Sequence, residues 1–148
     1  MSDFDVKEKR FEEDIEDYLI HHGGYIKGDP KKFNRESGLD EDTFVEFIKT
    51  SQPKKWDRYV KIYAENSEKQ VVERFKREIK TTNLLNVMRH GFMDRGIKLY
   101  PIFWKPETTL NETTQIQYDA NILHCTRQLH YSVHNENSID IVLFVNGI

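Results

Sequence analysis

Phe11, Ile15, Tyr18 and Leu19 recur at helical spacing near the start of the chain, and Gly23-Gly24 follows where a left-handed cap would end such a helix. The pattern predicts an amphipathic first helix with those four residues on its buried face. A loop rich in Gly, Lys and Asp comes next. Phe44, Phe47 and Ile48 then mark a short helix with Asp40 or Asp42 as its N-cap. Pro53 opens a third helix, whose predicted buried stripe is Trp56, Tyr59, Val60 and Tyr63. Ser67 with Gln70 reads as a capping box for a fourth, with the stripe Val72, Phe75 and Ile79. Leu84, Leu85, Val87 and Met88 carry the helical period to Gly91, and Arg89 and His90 stand where a helix C-terminus favours cations.

From Gly91 the period drops toward two, which signals strands. Ile97, Leu99 and Phe103 alternate with Lys98, Tyr100 and Trp104, and Pro101, lacking an amide donor, favours an edge position. The polar segment from Thr108 to Asp119 has no clear period. Leu123, Cys125, Leu129, Tyr131 and Val133 share one face of an extended stretch interrupted by Arg127, the mark of a half-buried strand. Ser138 to Val145 is apolar on both faces except at Asp140, which predicts a strand in the middle of a sheet. Asn146-Gly147 then signals a two-residue hairpin turn, with only Ile148 left for the returning strand. The chain is expected to end inside a hairpin, as a truncated piece of a larger domain.

These patterns predict an α+β fold, with several N-terminal helices packed on a mainly antiparallel sheet. Residues 1–91 are expected to be mainly helical and 92–148 mainly strands, as parts of one domain. No internal repeat, low-complexity stretch or strong linker divides the chain. With 148 residues, 37% of them hydrophobic, a packed core is affordable, and a net charge of −3 argues against a surface that is basic throughout. The lone Cys125, the acidic start and the lack of an apolar run of about 20 residues predict a soluble cytoplasmic protein without membrane contact.

Asp140 is the most informative candidate for chemistry. A carboxylate among Ile139, Ile141, Val142, Leu143 and Phe144 is costly to bury unless a metal ion, a cation or backbone amides compensate it, or unless it is solvated at the strand's mouth. Arg127, on an otherwise apolar face, needs a carboxylate or phosphate, and Asp140 is a plausible neighbour. Either a structural salt bridge or a DNA contact meets that need. Glu8, Glu12 and Glu16 lie on one helical stripe, which as a bare pattern is also what a solvated face looks like. His124 and Cys125 are adjacent and point to opposite faces, against a zinc site. Gly23-Gly24 lacks the spacing of a phosphate-binding loop, and no catalytic triad is identifiable.

Phe11-Glu12, Gly24-Tyr25, Arg89-His90-Gly91, Arg127-Gln128 with Tyr131-Ser132, and above all Ser138 through Gly147 resemble the N-terminal region of type I restriction enzyme R subunits, in that order and along nearly the whole chain. The resemblance implies the opening part of a PD-(D/E)XK nuclease core, left incomplete here. It makes the Asp matching Asp140 a catalytic metal ligand and Glu12 a second, helix-borne one. Arg127, Gln128 and Tyr131 become DNA-binding or structural residues. The family's Glu-x-Lys lies on the strand after the Asn-Gly turn, and no such pair follows Asp140 here. The fragment is therefore expected to be inactive alone and to bind no cofactor tightly.

In the full subunit the resemblance implies Mg²⁺-dependent cleavage of double-stranded DNA coupled to ATP-driven translocation. The implied partners are DNA, the methylation and specificity subunits, and the motor domains of the same polypeptide. An alternative from another class is a non-catalytic interaction module that docks a partner on its helical surface. A third is a small DNA-binding protein using Lys31, Lys32, Lys54 and Lys55, which the net acidity disfavours.

Overall fold

The computed structural model describes residues 2–108 and 110–148; Met1 and Thr109, at the edges of two of the segments read above, lie outside the described residues. In chain order the elements are α1 (Asp3–His22), β1 (Ile26–Lys27), α2 (Glu41–Ser51), α3 (Pro53–Tyr63), α4 (Ser67–Thr81), α5 (Leu84–His90), β2 (Phe92–Asp94), β3 (Ile97–Leu99), α6 (Glu112–Asp119), β4 (Leu123–His130) and β5 (Ser138–Val145). The fold is α+β. Its residues form two compact units, Met1–Asp40 with Ile122–Ile148, and Glu41–Asn121, a division that does not follow the change of period at Gly91. Among the described residues no helix is long and apolar enough to cross a membrane.

The first unit is α1 beside a three-stranded sheet in the order β1-β4-β5, with β1 parallel to β4 and β5 antiparallel to it. Ser2 opens α1 with a capping box. Its hydroxyl oxygen accepts from the Asp5 amide at 3.2 Å, and the Asp5 carboxylate accepts from the Ser2 amide at 2.9 Å. The helix ends where the Gly23 amide donates to the Leu19 carbonyl at 2.8 Å, and Gly24 takes the left-handed conformation at φ 73°.

The buried face of α1 is not the predicted one. Phe11 and Tyr18 are exposed, whereas Glu12 and Glu16 are buried against the sheet. The carboxylates turn inward because α1 lies over cationic and amide side chains contributed by β4 and β1. A stripe rule based on apolar transfer energy cannot register partners so distant in sequence.

Gly28 shows how closely the chain approaches β4. A Cβ there would lie 2.0 Å from the Thr126 hydroxyl oxygen, and the Gly28 amide donates to the Cys125 carbonyl at 2.9 Å. At the other end of the sheet Asn146 and Gly147, with φ of 55° and 80°, form the two-residue turn that the Asn-Gly pair predicts. Val145 and Ile148 exchange hydrogen bonds across it at 3.2 and 3.0 Å. Asn146 is fully buried, and its side-chain oxygen accepts from the Ile122 amide at 2.7 Å.

β5, predicted for the middle of the sheet, stands at its edge among the described residues, and β4 is the central strand. Ile139 and Leu143 are accordingly 43% and 46% exposed, because no described residue covers that face. Tyr131 and Val133 lie beyond the end of β4 rather than on its buried face.

The second unit is mainly helical, and its core is largely the one the periodicity predicts: Phe44, Phe47, Ile48, Trp56, Tyr59, Val72, Phe75 and Val87 are all buried. Val60 and Tyr63 are the exceptions within the α3 stripe: Val60 is exposed and Tyr63 half-buried. Ser67 and Gln70 do not form a capping box. Ser67 donates to the Ala64 carbonyl at 2.6 Å to close a preceding 3₁₀ turn, and Gln70 reaches toward Asp94 instead. Asp94 also accepts from the Tyr59 and Tyr63 hydroxyls at 2.9 Å, tying β2 to α3. Burial first, and Asp94 second, push the Tyr59 phenol above its ordinary range.

β2 and β3 pair as a short hairpin that stops at Leu99, before Pro101, so Phe103 and Trp104 lie outside any strand. The polar segment without a clear period contains α6, which Asn111 caps by accepting from the Thr114 amide at 3.3 Å.

Candidate metal and carboxylate cleft

Arg127 and Gln128 on β4, Asp140 on β5 and Glu12 on α1 converge within the first unit. Antiparallel pairs Arg127↔Ile141 and Leu129↔Ile139 flank Gln128, which puts it opposite Asp140. The Arg127 guanidinium donates to Glu12 Oε2 at 3.1 Å, and the Gln128 amide donates to the same oxygen at 3.1 Å and to Asp140 Oδ1 at 3.4 Å.

Neighbouring residues on a strand ordinarily point to opposite faces. Here both reach one carboxylate, because Gln128 has φ 53° while the pairing on either side keeps one register. No residue is inserted; the backbone is locally reversed. A left-handed conformation costs a non-glycine residue roughly 1–2 kcal/mol. Such strain persists where surrounding contacts determine it, here the bonds that Gln128 makes to Glu12 and Asp140.

The predicted partnership of Arg127 with Asp140 is therefore replaced by one with Glu12. Nor is Asp140 buried. It is solvent-exposed on the edge strand, which removes the desolvation cost that a central strand would have imposed.

Glu12, Asp140 and Glu8 each offer a carboxylate oxygen lying within 4.8 Å of the other two. These residues, together with Asp5, Lys9, Arg127 and Gln128, line a cleft of about 320 Å³. Glu8 thus belongs with the cluster, and α1 brings it there one turn before Glu12. Glu16, one turn after, does not: it is buried, with Oε1 at 4.0 Å from the Lys27 ammonium and Oε2 without a hydrogen-bond partner among the described residues. Tyr131 is half-exposed past the end of β4 and does not line the cleft.

An all-oxygen donor set of this kind suits a hard divalent cation such as Mg²⁺. Glu12 is held by Arg127 and Gln128 mainly through Oε2, which leaves Oε1 the less engaged of its two oxygens.

A family model described as the type I restriction enzyme R protein N terminus matches residues 5–148. The chain belongs to that family. Comparisons with curated proteins and with solved structures found no match. The carboxylates brought together by the fold lie on the first helix and on the strand that carries Asp140. The Gln128 conformation had no signature in the sequence, and the stripe Glu8, Glu12 and Glu16 did not tell which glutamates meet Asp140. Both depend on the pairing of β4 with β5 and on α1 crossing β4, which no local pattern encodes.

Proposed function

We propose that this N-terminal region contributes Glu12 and Asp140 to a Mg²⁺-binding site for cleavage of double-stranded DNA by the full R subunit, where cleavage is coupled to ATP-driven translocation. The observation that carries the reading is the mutual approach, within 4.8 Å, of carboxylate oxygens from α1 and β5. A bound Mg²⁺ supplies Lewis-acid polarisation of a phosphodiester. Glu12 and Asp140 would hold it through hard oxygens, with Glu8 as a third carboxylate within reach.

Arg127 and Gln128 fix the Glu12 carboxylate, so that its orientation is set before the cation arrives. In this reading the catalytic unit is the full subunit in its complex with methylation and specificity subunits.

The test is plasmid cleavage by the full subunit in its complex, with Mg²⁺ and with a chelator. Glu12→Gln removes one anionic ligand and is expected to slow Mg²⁺-dependent cleavage by roughly 10–100-fold, the range seen on weakening metal sites. Glu8→Gln should have a smaller effect. Undiminished cleavage by Glu12→Gln would remove Glu12 from the site. A second reading, an interaction module, is favoured by one observation: Phe4, Phe11 and Tyr18 leave an exposed apolar stripe along α1.

A further inference from the structure

The acidity of the chain is unevenly distributed. Glu41–Asn121 holds 14 Lys and Arg against 12 Asp and Glu, whereas the other unit holds 8 against 13. Within Glu41–Asn121 two cavities, each of about 340 Å³, share Tyr100, Phe103 and Gln117 in their walls and so adjoin as the two halves of a divided groove. Lys54 and Lys55 line one end and Arg89 the other, and no Asp or Glu lines either cavity. The Lys55 ammonium lies over the Tyr100 ring, 4.8 Å from its centroid. Burial, followed by the nearby charges of Arg58 and Lys98, lowers its pKa.

Among the described residues none of Lys54, Lys55, Arg58, Arg89 and Lys98 is in an ion pair. A cluster of unneutralised cations is costly to hold together, and an anionic ligand relieves that cost.

The Tyr100 backbone and the Trp104 ring are held in place. The Gln52 side chain donates to the Tyr100 carbonyl at 2.9 Å and accepts from the Tyr100 amide at 2.8 Å. The indole N–H of Trp104 donates to the Met88 carbonyl at 2.9 Å, which fixes the plane of a ring that is 52% exposed. A fixed, exposed indole face beside cations matches the chemistry of an unpaired polynucleotide, whose phosphates meet the cations while a base stacks on the ring. In a duplex the base faces are already stacked.

We propose that this groove binds single-stranded DNA, with Lys54, Lys55 and Arg89 on the phosphates and Trp104 as a stacking platform. The proposal rests on the family reading only in taking DNA as the polyanion; it needs neither the carboxylate cleft nor metal. Binding of a labelled oligothymidine to the chain, followed by fluorescence anisotropy in EDTA at several salt concentrations, therefore tests it separately from cleavage.

The double variant Lys54→Glu/Lys55→Glu is expected to weaken binding at least tenfold and to flatten its salt dependence, since fewer counterions are released. Acidic residues in the first turn of α3 favour the helix, so lost binding would not reflect lost folding. Trp104→Ala is expected to weaken oligothymidine binding about tenfold, the loss of one stacked base, and to leave duplex binding unchanged. Lys69→Glu, a single charge reversal away from the groove, should have little effect. Absence of binding, or equal losses from Lys69→Glu and the groove variants, would overturn the proposal. Duplex preference without dependence on Trp104 would overturn the single-strand assignment.

Discussion

Asp140→Ala in the full-length R subunit is expected to lower Mg²⁺-dependent plasmid cleavage by on the order of 10³-fold. A metal ion contributes several kcal/mol of charge stabilisation to phosphoryl chemistry, and each 1.36 kcal/mol is about tenfold in rate. If the proposed site holds, removing the carboxylate that sits between Glu12, Glu8 and the Gln128 amide forfeits most of that contribution. The fold should survive the change, because Asp140 is exposed and its contact with Gln128 is long at 3.4 Å. Substitutions at such surface positions generally move stability by less than about 0.5 kcal/mol. Lost cleavage with unchanged thermal unfolding is the expected pair of results. Cleavage that survives Asp140→Ala would sink the site assignment.

Arg127→Ala should act through stability instead. The Glu12 and Arg127 side chains are 10% and 20% exposed, so solvent does little to replace the lost partner. Stranding one member of a buried ion pair costs roughly 3–5 kcal/mol, and Gln128, which still donates to Glu12, brings the expected loss to the lower end, about 3 kcal/mol. Both tryptophans, Trp56 and Trp104, lie in the other unit, so their fluorescence does not report on this one.

Cys125 does report on it. It is fully buried in β4, and burial, with Glu16 as the next cause, raises its thiol pKa. Its reaction with a thiol reagent should be slow in the native chain and about 100-fold faster in Arg127→Ala, since 1.4 kcal/mol corresponds to tenfold in an opening equilibrium. Adding Glu12→Ala to Arg127→Ala should restore part of the protection. An equal or larger loss in the double variant would mean that the pair is not the source of the effect.

What the sequence made legible follows from the range of the forces involved. Phe44, Phe47, Trp56, Tyr59 and Phe75 are buried as their spacing predicts, because those helices pack with short connections and apolar transfer dominates. The Asn146-Gly147 turn was readable because its backbone requirement is local.

The candidate site was half legible. Asp140, Glu12, Arg127 and Gln128 stood out through the resemblance, yet their partnerships did not. Phe11 and Tyr18 outrank Glu12 and Glu16 on any apolar scale, and only the arrival of β4 beside α1 turns the carboxylates inward. The positive φ of Gln128 is likewise a response to tertiary contacts, as it lets two consecutive side chains converge on Glu12. The groove around Tyr100 was obscured because the net charge of the whole chain masks the basic excess of one unit.

The most direct test of the carboxylate cleft is a Mn²⁺ titration of the isotope-labelled chain followed by NMR, since paramagnetic broadening locates even weak binding. The account predicts broadening centred on Glu8, Glu12, Gln128 and Asp140, lost when Glu12→Gln and Asp140→Ala are combined. Broadening centred instead on the other acidic cavity, lined by Glu41, Asp42, Glu68 and Glu73, or broadening around Glu12 that persists in the double variant, would contradict it.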